Sequence, residues 1–197
     1  MLAFSGCTHG CTVEEAEELK RLSYPVLSGM HALGGERKRE GRRQQWLCPL
    51  TPEEATLILQ ALGFSKEAQI YIASGEIYGC ERRLAPLKAA FPQIVKKETL
   101  LDPAELQRFQ NHTSQMAALD FTVSVASDTF IPTYDGNMAK VAEGHRWYLG
   151  FKKSILPDRK KLIELLDLHQ NGTLPWDDFA LAVSQTHEKR MGQPFRR

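Results

Sequence analysis

Apolar residues recur along most of this chain at helical spacing, interrupted by short apolar runs that end in Ser, Gly or Pro. The first periodic stretch opens at Thr12-Val-Glu-Glu15, a capping box in which hydroxyl and carboxylate satisfy each other's backbone amides. It predicts a helix over Val13–Leu22. Ser23 to Gln45 then loses its period, with Pro25, four glycines and the charge run Glu36–Arg43. Thr51-Pro-Glu-Glu54 is a second capping box, with proline at the first helical position, and it opens a helix that Gly63 closes.

Beyond this point the pattern becomes regular. Gln69–Ala73 is a short apolar run bounded by Ser74-Gly75 and predicts a buried strand. Glu81–Phe91 is helical and stops at Pro92; Ile94-Val95 begins the next strand. Asp102-Pro103 caps a brief helix to about Phe109, and Thr113–Ala126 is a longer one. Thr129–Ile131 is a strand ended by Pro132, Asn137–Tyr148 a helix ended by Gly150, and Ser154–Leu156 a strand ended by Pro157. Arg159–Leu168 and Trp176–Arg190 are the last two helices. Strands alternating with helices imply right-handed parallel crossovers, so the expected fold is α/β, an open parallel sheet flanked by helices. Ligands of such sheets sit at the carboxyl ends of the strands. That singles out the loops Ser74–Cys80, Lys97–Leu101 and Pro132–Asn137.

Composition narrows the function classes. The 197 residues suffice for one core with a smaller appendage, and 42% hydrophobic with 25% charged residues is ordinary for a globular domain. With 25 basic and 24 acidic side chains, the net charge of +1 gives no electrostatic case for nucleic acid or an anionic membrane. No run of about 18 apolar residues would span a bilayer, and the opening MLAFSGCTHGC does not read as a signal peptide. The run Glu36–Arg43 contains no aromatic residue and reads as a solvated loop rather than a phosphate or nucleic-acid patch. Cys7 and Cys11 around His9, with Cys48 and Cys80 apart, lack the two close ligand pairs of structural zinc. No metal or other cofactor is expected. Disulfides among Cys7, Cys11 and Cys48, or free buried thiols, remain open. Asn111-His-Thr and Asn171-Gly-Thr match the N-glycosylation pattern.

Three segments bear candidate chemistry. Ser74-Gly-Glu76-Ile-Tyr-Gly79 follows the first strand, and Glu76 there could accept hydrogen bonds from a base or ribose; the Rossmann and P-loop fingerprints are both absent. Ser127-Asp128 to Asn137 is richer. A strand runs into the polar loop Ile131–Asn137, which opens a helix with Asp135 or Asn137 as N-cap. Amides at that helix start can bind a phosphate oxygen, with Thr133 and Tyr134 supplying hydroxyls. Asp167 to Asp178 resembles a calcium loop at Asp167, Asn171, Gly172 and Asp178, but His169 and Pro175 break the pattern. No catalytic triad or carboxylate pair can be placed from spacing.

The stretches IYIASGEIYG, LAPLKAAFP, NHTSQMAALDF, VASDTFIPTYDGNMAKVAEGHRWYLGF and LDLHQNGTLPWDDF, together with the opening MLAFSGCTHGCTVEEAEELK, resemble the C-terminal part of plant GDP-fucose protein O-fucosyltransferase family proteins. That family also includes plant enzymes that add rhamnose to pectin. The resemblance implies the C-terminal, Rossmann-like half of a GT-B glycosyltransferase. Such an enzyme transfers fucose or a related deoxysugar, with inversion and without a metal, from a nucleotide sugar (GDP-fucose or UDP-rhamnose) to an acceptor hydroxyl on a glycan or protein. Residues 47–197 would form the nucleotide-sugar-binding domain, and residues 1–46 a remnant with one helix and a basic loop. By family position Glu76 meets the nucleoside, and Asp128, Thr133, Tyr134, Asp135, Gly136 and Asn137 lie at the base and diphosphate. The family is anchored in the Golgi membrane. Four departures stand out: the N-terminal half and its His-x-Arg element are not in this sequence, Ser23–Gln45 differs from the family linker, and Cys80 replaces a glycine. The implied protein is therefore a truncated enzyme, inactive alone, with a non-catalytic nucleotide-binding module as the alternative.

Overall fold

The first helix begins where its capping box places it. In the computed structural model the Thr12 amide donates to Glu15 Oε2 at 2.8 Å and the Glu15 amide to Thr12 Oγ1 at 3.3 Å. The structure describes residues 7, 11–27, 42–43, 45, 47–75, 77, 80–150 and 153–188. Helix α1 (Val13–Leu27) runs past the expected end at Leu22 and through Pro25. Proline fits the helical φ, but in the last turn it gives up the amide bond to the carbonyl four residues earlier. Helix α2 (Pro52–Ala61) has the second capping box, with the Thr51 amide on Glu54 Oε2 at 2.9 Å, and Gly63 follows it at φ +77°. That left-handed turn is what a glycine after a helix supplies.

The chain then builds a small parallel sheet. Strand β1 (Ile70–Tyr71) pairs with β2 (Ile94–Val95), Ile70 opposite Ile94 and Tyr71 opposite Val95, around the intervening helix α3 (Cys80–Ala90). Phe130 and Ser154 form a separate parallel bridge, with the Phe130 amide on the Lys153 carbonyl at 3.0 Å and the Ile155 amide on Phe130 at 2.9 Å. The parallel direction agrees with the crossover argument. The wide open sheet does not form among the described residues: Thr129–Ile131 and Ser154–Leu156 contribute one bridge rather than two strands. Each is only a few residues long before Pro132 or Pro157, and proline cannot donate to a ladder.

Helices make up most of the rest: α4 (Lys97–Leu100), α5 (Pro103–Gln110), α6 (Thr113–Ala126), α7 (Asn137–Tyr148), α8 (Arg159–Gln170) and α9 (Trp176–Glu188). The architecture is thus mixed α/β and mostly helical. Helix α4 lies in a segment expected as a loop. Thr99 makes it helical by accepting from the Lys96 amide and donating to the Lys96 carbonyl, each at 2.9 Å.

Helix α2 lies between two cores. One face packs Ile58 and Ala61 against Leu162, Leu165 and Leu166 of α8 and Phe179 and Val183 of α9. Leu59, on the other, meets Leu84, Leu87 and Phe91 with Ile70, Ile72 and Ile94 of the sheet region. Among the described residues before Leu47, Leu19 is buried, Glu15 pairs with Arg82, and a disulfide joins Cys7 to Cys48. That disulfide excludes both cysteines as zinc thiolates, while Cys11 is free. Arg43 corrects the expectation of a wholly solvated loop. Its guanidinium bridges buried Glu54 and Asp167, both at 2.7 Å, with its side chain 13% exposed. Arg42 is half-buried as well, and Glu36–Gly41 lie outside the described residues.

Candidate functional site

The loop Ile131–Asn137 leaves the Phe130–Ser154 bridge and enters α7. Its N-cap is Gly136, at φ −94° and ψ 168°, rather than Asp135 or Asn137. Among the described residues no side chain caps the helix: Asp135 pairs with Lys140 at 3.3 Å, both exposed. The first amides of α7 therefore keep their capacity for an outside acceptor, at the positive end of the helix dipole. Thr133, Asp135 and Asn137 are exposed at this opening, and Tyr134 is half-buried.

One arginine ties the segments that flank the loop and another touches the loop itself. Arg146, on the last turn of α7, is fully buried. Its Nε donates to Ser154 Oγ at 2.9 Å, its Nη1 to the carbonyls of Ser124, Val125 and Ser127 at 2.7–3.0 Å, and its Nη2 to those of Lys153 at 3.0 Å and Asp128 at 3.3 Å. One guanidinium thus collects the end of α6 and both bridge segments. The exposed candidate Asp128 is fixed by its backbone in this way. Arg159, the first residue of α8, donates to the Thr133 carbonyl at 3.4 Å and to the Cys48 carbonyl, and lies 5.7 Å from the centre of the Tyr134 ring. Burial pushes this guanidinium below its ordinary pKa, against the pull of nearby Asp135 and Tyr134. Thr133 is held from the other side by the Leu50 amide, which donates to its carbonyl at 3.0 Å.

A second polar cluster sits at the carboxyl ends of β1 and β2. Lys97 Nζ lies 2.8 Å from Asp120 Oδ2 and 2.8 Å from the Ser74 carbonyl, and Tyr71 donates to Asp120 Oδ1 at 2.8 Å. Burial first, then Asp120, pushes the Tyr71 phenol above its ordinary pKa, so it remains a donor. Sequence reasoning marked the loops on both sides of this cluster without finding Asp120 as their link. Glu76 lies outside the described residues. Arg159 was also missed, yet it carried a signal: α8 opens Arg-Lys-Lys with no acid in its first turn, against the helix dipole. Cations so placed imply tertiary partners.

Other candidates resolve differently. Asp167 lies within α8 and is paired with Arg43; His169 contacts the Leu174 carbonyl at 2.8 Å and stacks on Phe179. The calcium-like stretch is thus a helix–turn–helix corner built on Gly172 at φ +72°. Among the described residues no three His, Cys, Asp or Glu side chains could hold a metal, and no helix is long and apolar enough to cross a membrane. Asn111 and Asn171 are exposed, each at the end of a helix. A shallow groove of about 490 Å³ between α2 and α3 is lined by Glu53, Thr56, Leu57, Gln60, Pro86, Ala89 and Ala90. It lies at none of the strand ends and holds one carboxylate and no cation, so it offers little to an anionic ligand.

Comparison with known proteins adds a second line of observation. A sequence model described as GDP-fucose protein O-fucosyltransferase matches residues 1–149. The chain is similar to Rhamnogalacturonan I rhamnosyltransferase 1 of Arabidopsis thaliana, 67% identical over 199 residues, covering 100% of this chain and 39% of that protein. Against Rhamnogalacturonan I rhamnosyltransferase 4 it is 68% identical over 198 residues, 100% of this chain and 40% of the relative. O-fucosyltransferase 7 of the same plant is 45% identical over 200 residues, 100% of this chain and 34% of the relative. The chain therefore spans about two-fifths of the length of the first two. No solved structure matches it.

Proposed function

Because the chain belongs to the GDP-fucose protein O-fucosyltransferase family, a family of glycosyltransferases, we propose that it forms the nucleotide-sugar-binding part of an enzyme that transfers a deoxysugar to an acceptor hydroxyl. In this reading residues 47–197 are the Rossmann-like C-terminal half of a GT-B fold, with residues 1–46 a preceding segment, and the protein works in the Golgi. The rhamnosyltransferase names of the more similar relatives support rhamnose over fucose as the sugar, and hence UDP-rhamnose over GDP-fucose as donor. The acceptor is a glycan or a protein.

The observation that carries the proposal is the α7 start with no side-chain cap behind the Thr133–Asn137 loop. In an inverting transfer the acceptor oxygen attacks the anomeric carbon as the bond to the diphosphate breaks, and negative charge gathers on the departing phosphate. Amides fixed at a helix start stabilise that charge without reorganising. Thr133 and Asn137 would bind the diphosphate, and Tyr134, Asp128 and Glu76 the nucleoside. Gly136, with no side chain, lets the phosphate approach the backbone. The group that deprotonates the acceptor, and a cation facing the diphosphate, would come from the remaining length of the longer protein.

Calorimetry with GDP, GDP-fucose, UDP and UDP-rhamnose tests this reading. Thr133→Ala and Asn137→Asp, the latter placing a negative charge beside the phosphate, should each weaken binding about tenfold. Full affinity in both variants, or no nucleotide binding by the wild-type chain, would sink the assignment.

A further inference from the structure

Asn171-Gly172-Thr173, which matches the acceptor pattern for N-glycosylation, forms the corner between α8 and α9. Backbone bonds close this corner. The amides of Asn171, Gly172 and Thr173 donate to the carbonyls of Asp167, His169 and Leu168 at 2.9–3.0 Å, and Gly172 takes φ +72°. The turn therefore does not rely on the Asn171 carboxamide or the Thr173 hydroxyl, and both residues are exposed. Those are the two groups the modification needs, the amide nitrogen as acceptor and the hydroxyl two residues on for recognition. What sets Asn171 apart from the exposed Asn111 is the apolar surface at its corner. Leu168 is 43% and Trp176 38% exposed, and the Trp176 ring lies 5.8 Å from that of His169. A sugar ring has an apolar C–H face that an indole can stack on, so a linked glycan covers surface that otherwise meets water. The Cys7–Cys48 disulfide points the same way, because such bonds persist in oxidising compartments, among them the lumen where proteins are N-glycosylated.

The corner also stands clear of the Thr133–Asn137 loop. Helix α8 begins at Arg159, against Thr133 and Tyr134, and ends at Gln170. Its 12 residues put Asn171 about 18 Å from that start. We propose that Asn171 carries an N-linked oligosaccharide, which covers the α8–α9 corner at the end of α8 away from the donor loop. The co-substrate is an oligosaccharide carried on a lipid diphosphate. The Asn171 amide nitrogen forms a bond to C1 of the first sugar. The bond from C1 to the diphosphate oxygen breaks, its electron pair leaves on the lipid diphosphate, and one amide proton passes to a base of the transferring enzyme. Only the placement relative to the donor loop rests on the function proposed above; the modification itself does not.

The test purifies the protein from the cells that make it, digests it with trypsin, and weighs intact the peptide that begins at Leu162. That peptide should carry N-acetylhexosamine on Asn171. The same peptide should lose the added mass in a Thr173→Val variant and keep it in Thr173→Ser, because serine supplies the hydroxyl. A bare wild-type peptide overturns the proposal, and so does a Thr173→Val peptide that is still modified. The wild-type peptide decides even where the valine variant fails to accumulate. GDP and UDP are then titrated before and after enzymatic removal of the glycan. Equal affinity supports the placement away from the donor loop, and a changed affinity overturns it. Should neither form bind a nucleotide, the donor-site reading fails, while the peptide still decides whether Asn171 is modified.

Discussion

At the scale of single residues, buried cations hold this molecule's loops in place. Arg146 donates to carbonyls from α6 and from both segments of the Phe130–Ser154 bridge. Arg146→Met would remove several donor contacts at once; the Ser124 and Lys153 carbonyls would keep the Ser127 hydroxyl and the Phe130 amide, while those of Val125 and Ser127 would lose the guanidinium. It should cost roughly 3 kcal/mol or more in urea unfolding. Glu15 acts at the surface. The Thr12 amide, then Arg82, holds its carboxylate below the usual range. A lowered folded-state pKa contributes stability that is present above the unfolded value and lost as pH falls through the folded one. Glu15→Gln should therefore lower the thermal midpoint at neutral pH, and the difference should vanish in acid. A gap that persists unchanged at low pH would show the charge to be irrelevant.

At the scale of elements, helix starts follow local chemistry closely. Thr51, Pro52 and Glu54 open α2, and the carboxylate serves again as partner to Arg43. Thr51→Ala should cost about 1 kcal/mol by chemical denaturation. Loss of much more would mean that the Glu54–Arg43 pair fails along with the cap. Strands behave otherwise. Ile70–Tyr71 and Ile94–Val95 pair, whereas Thr129–Ile131 and Ser154–Leu156 meet at one bridge. Apolar runs of this length show that a segment is buried and extended, but ladder length depends on what lies beside it.

At the scale of the whole molecule, the Cys7–Cys48 link joins positions 41 residues apart, and its second half leads to the candidate site. The Cys48 carbonyl accepts from Arg159, which also holds Thr133 and lies against Tyr134. Reduction should therefore destabilise the fold by roughly 2–4 kcal/mol and weaken nucleotide binding as well. Thermal unfolding and titration with and without a reductant would measure both. If stability falls while affinity holds, Arg159 does not transmit the constraint.

The sequence by itself determined the elements whose causes are local. Two capping boxes, the glycine stops at Gly63 and Gly150, the helix Asn137–Tyr148 and the parallel sense of the short strands could all be read from neighbouring residues. It also marked the Ile131–Asn137 loop, because a strand end followed by a polar helix start is a local pattern. Which residue caps α7, and what holds the loop, was decided only in three dimensions. Gly136 takes the cap because the helical backbone begins at Asn137, and Asp135 pairs with Lys140. Arg159, Arg146 and the Lys97–Asp120 pair act across as many as 111 residues of sequence, on partners that no periodicity encodes. Buried cations seek acceptors wherever packing leaves carbonyls unsatisfied, and that is settled only when the helices and strands have come together.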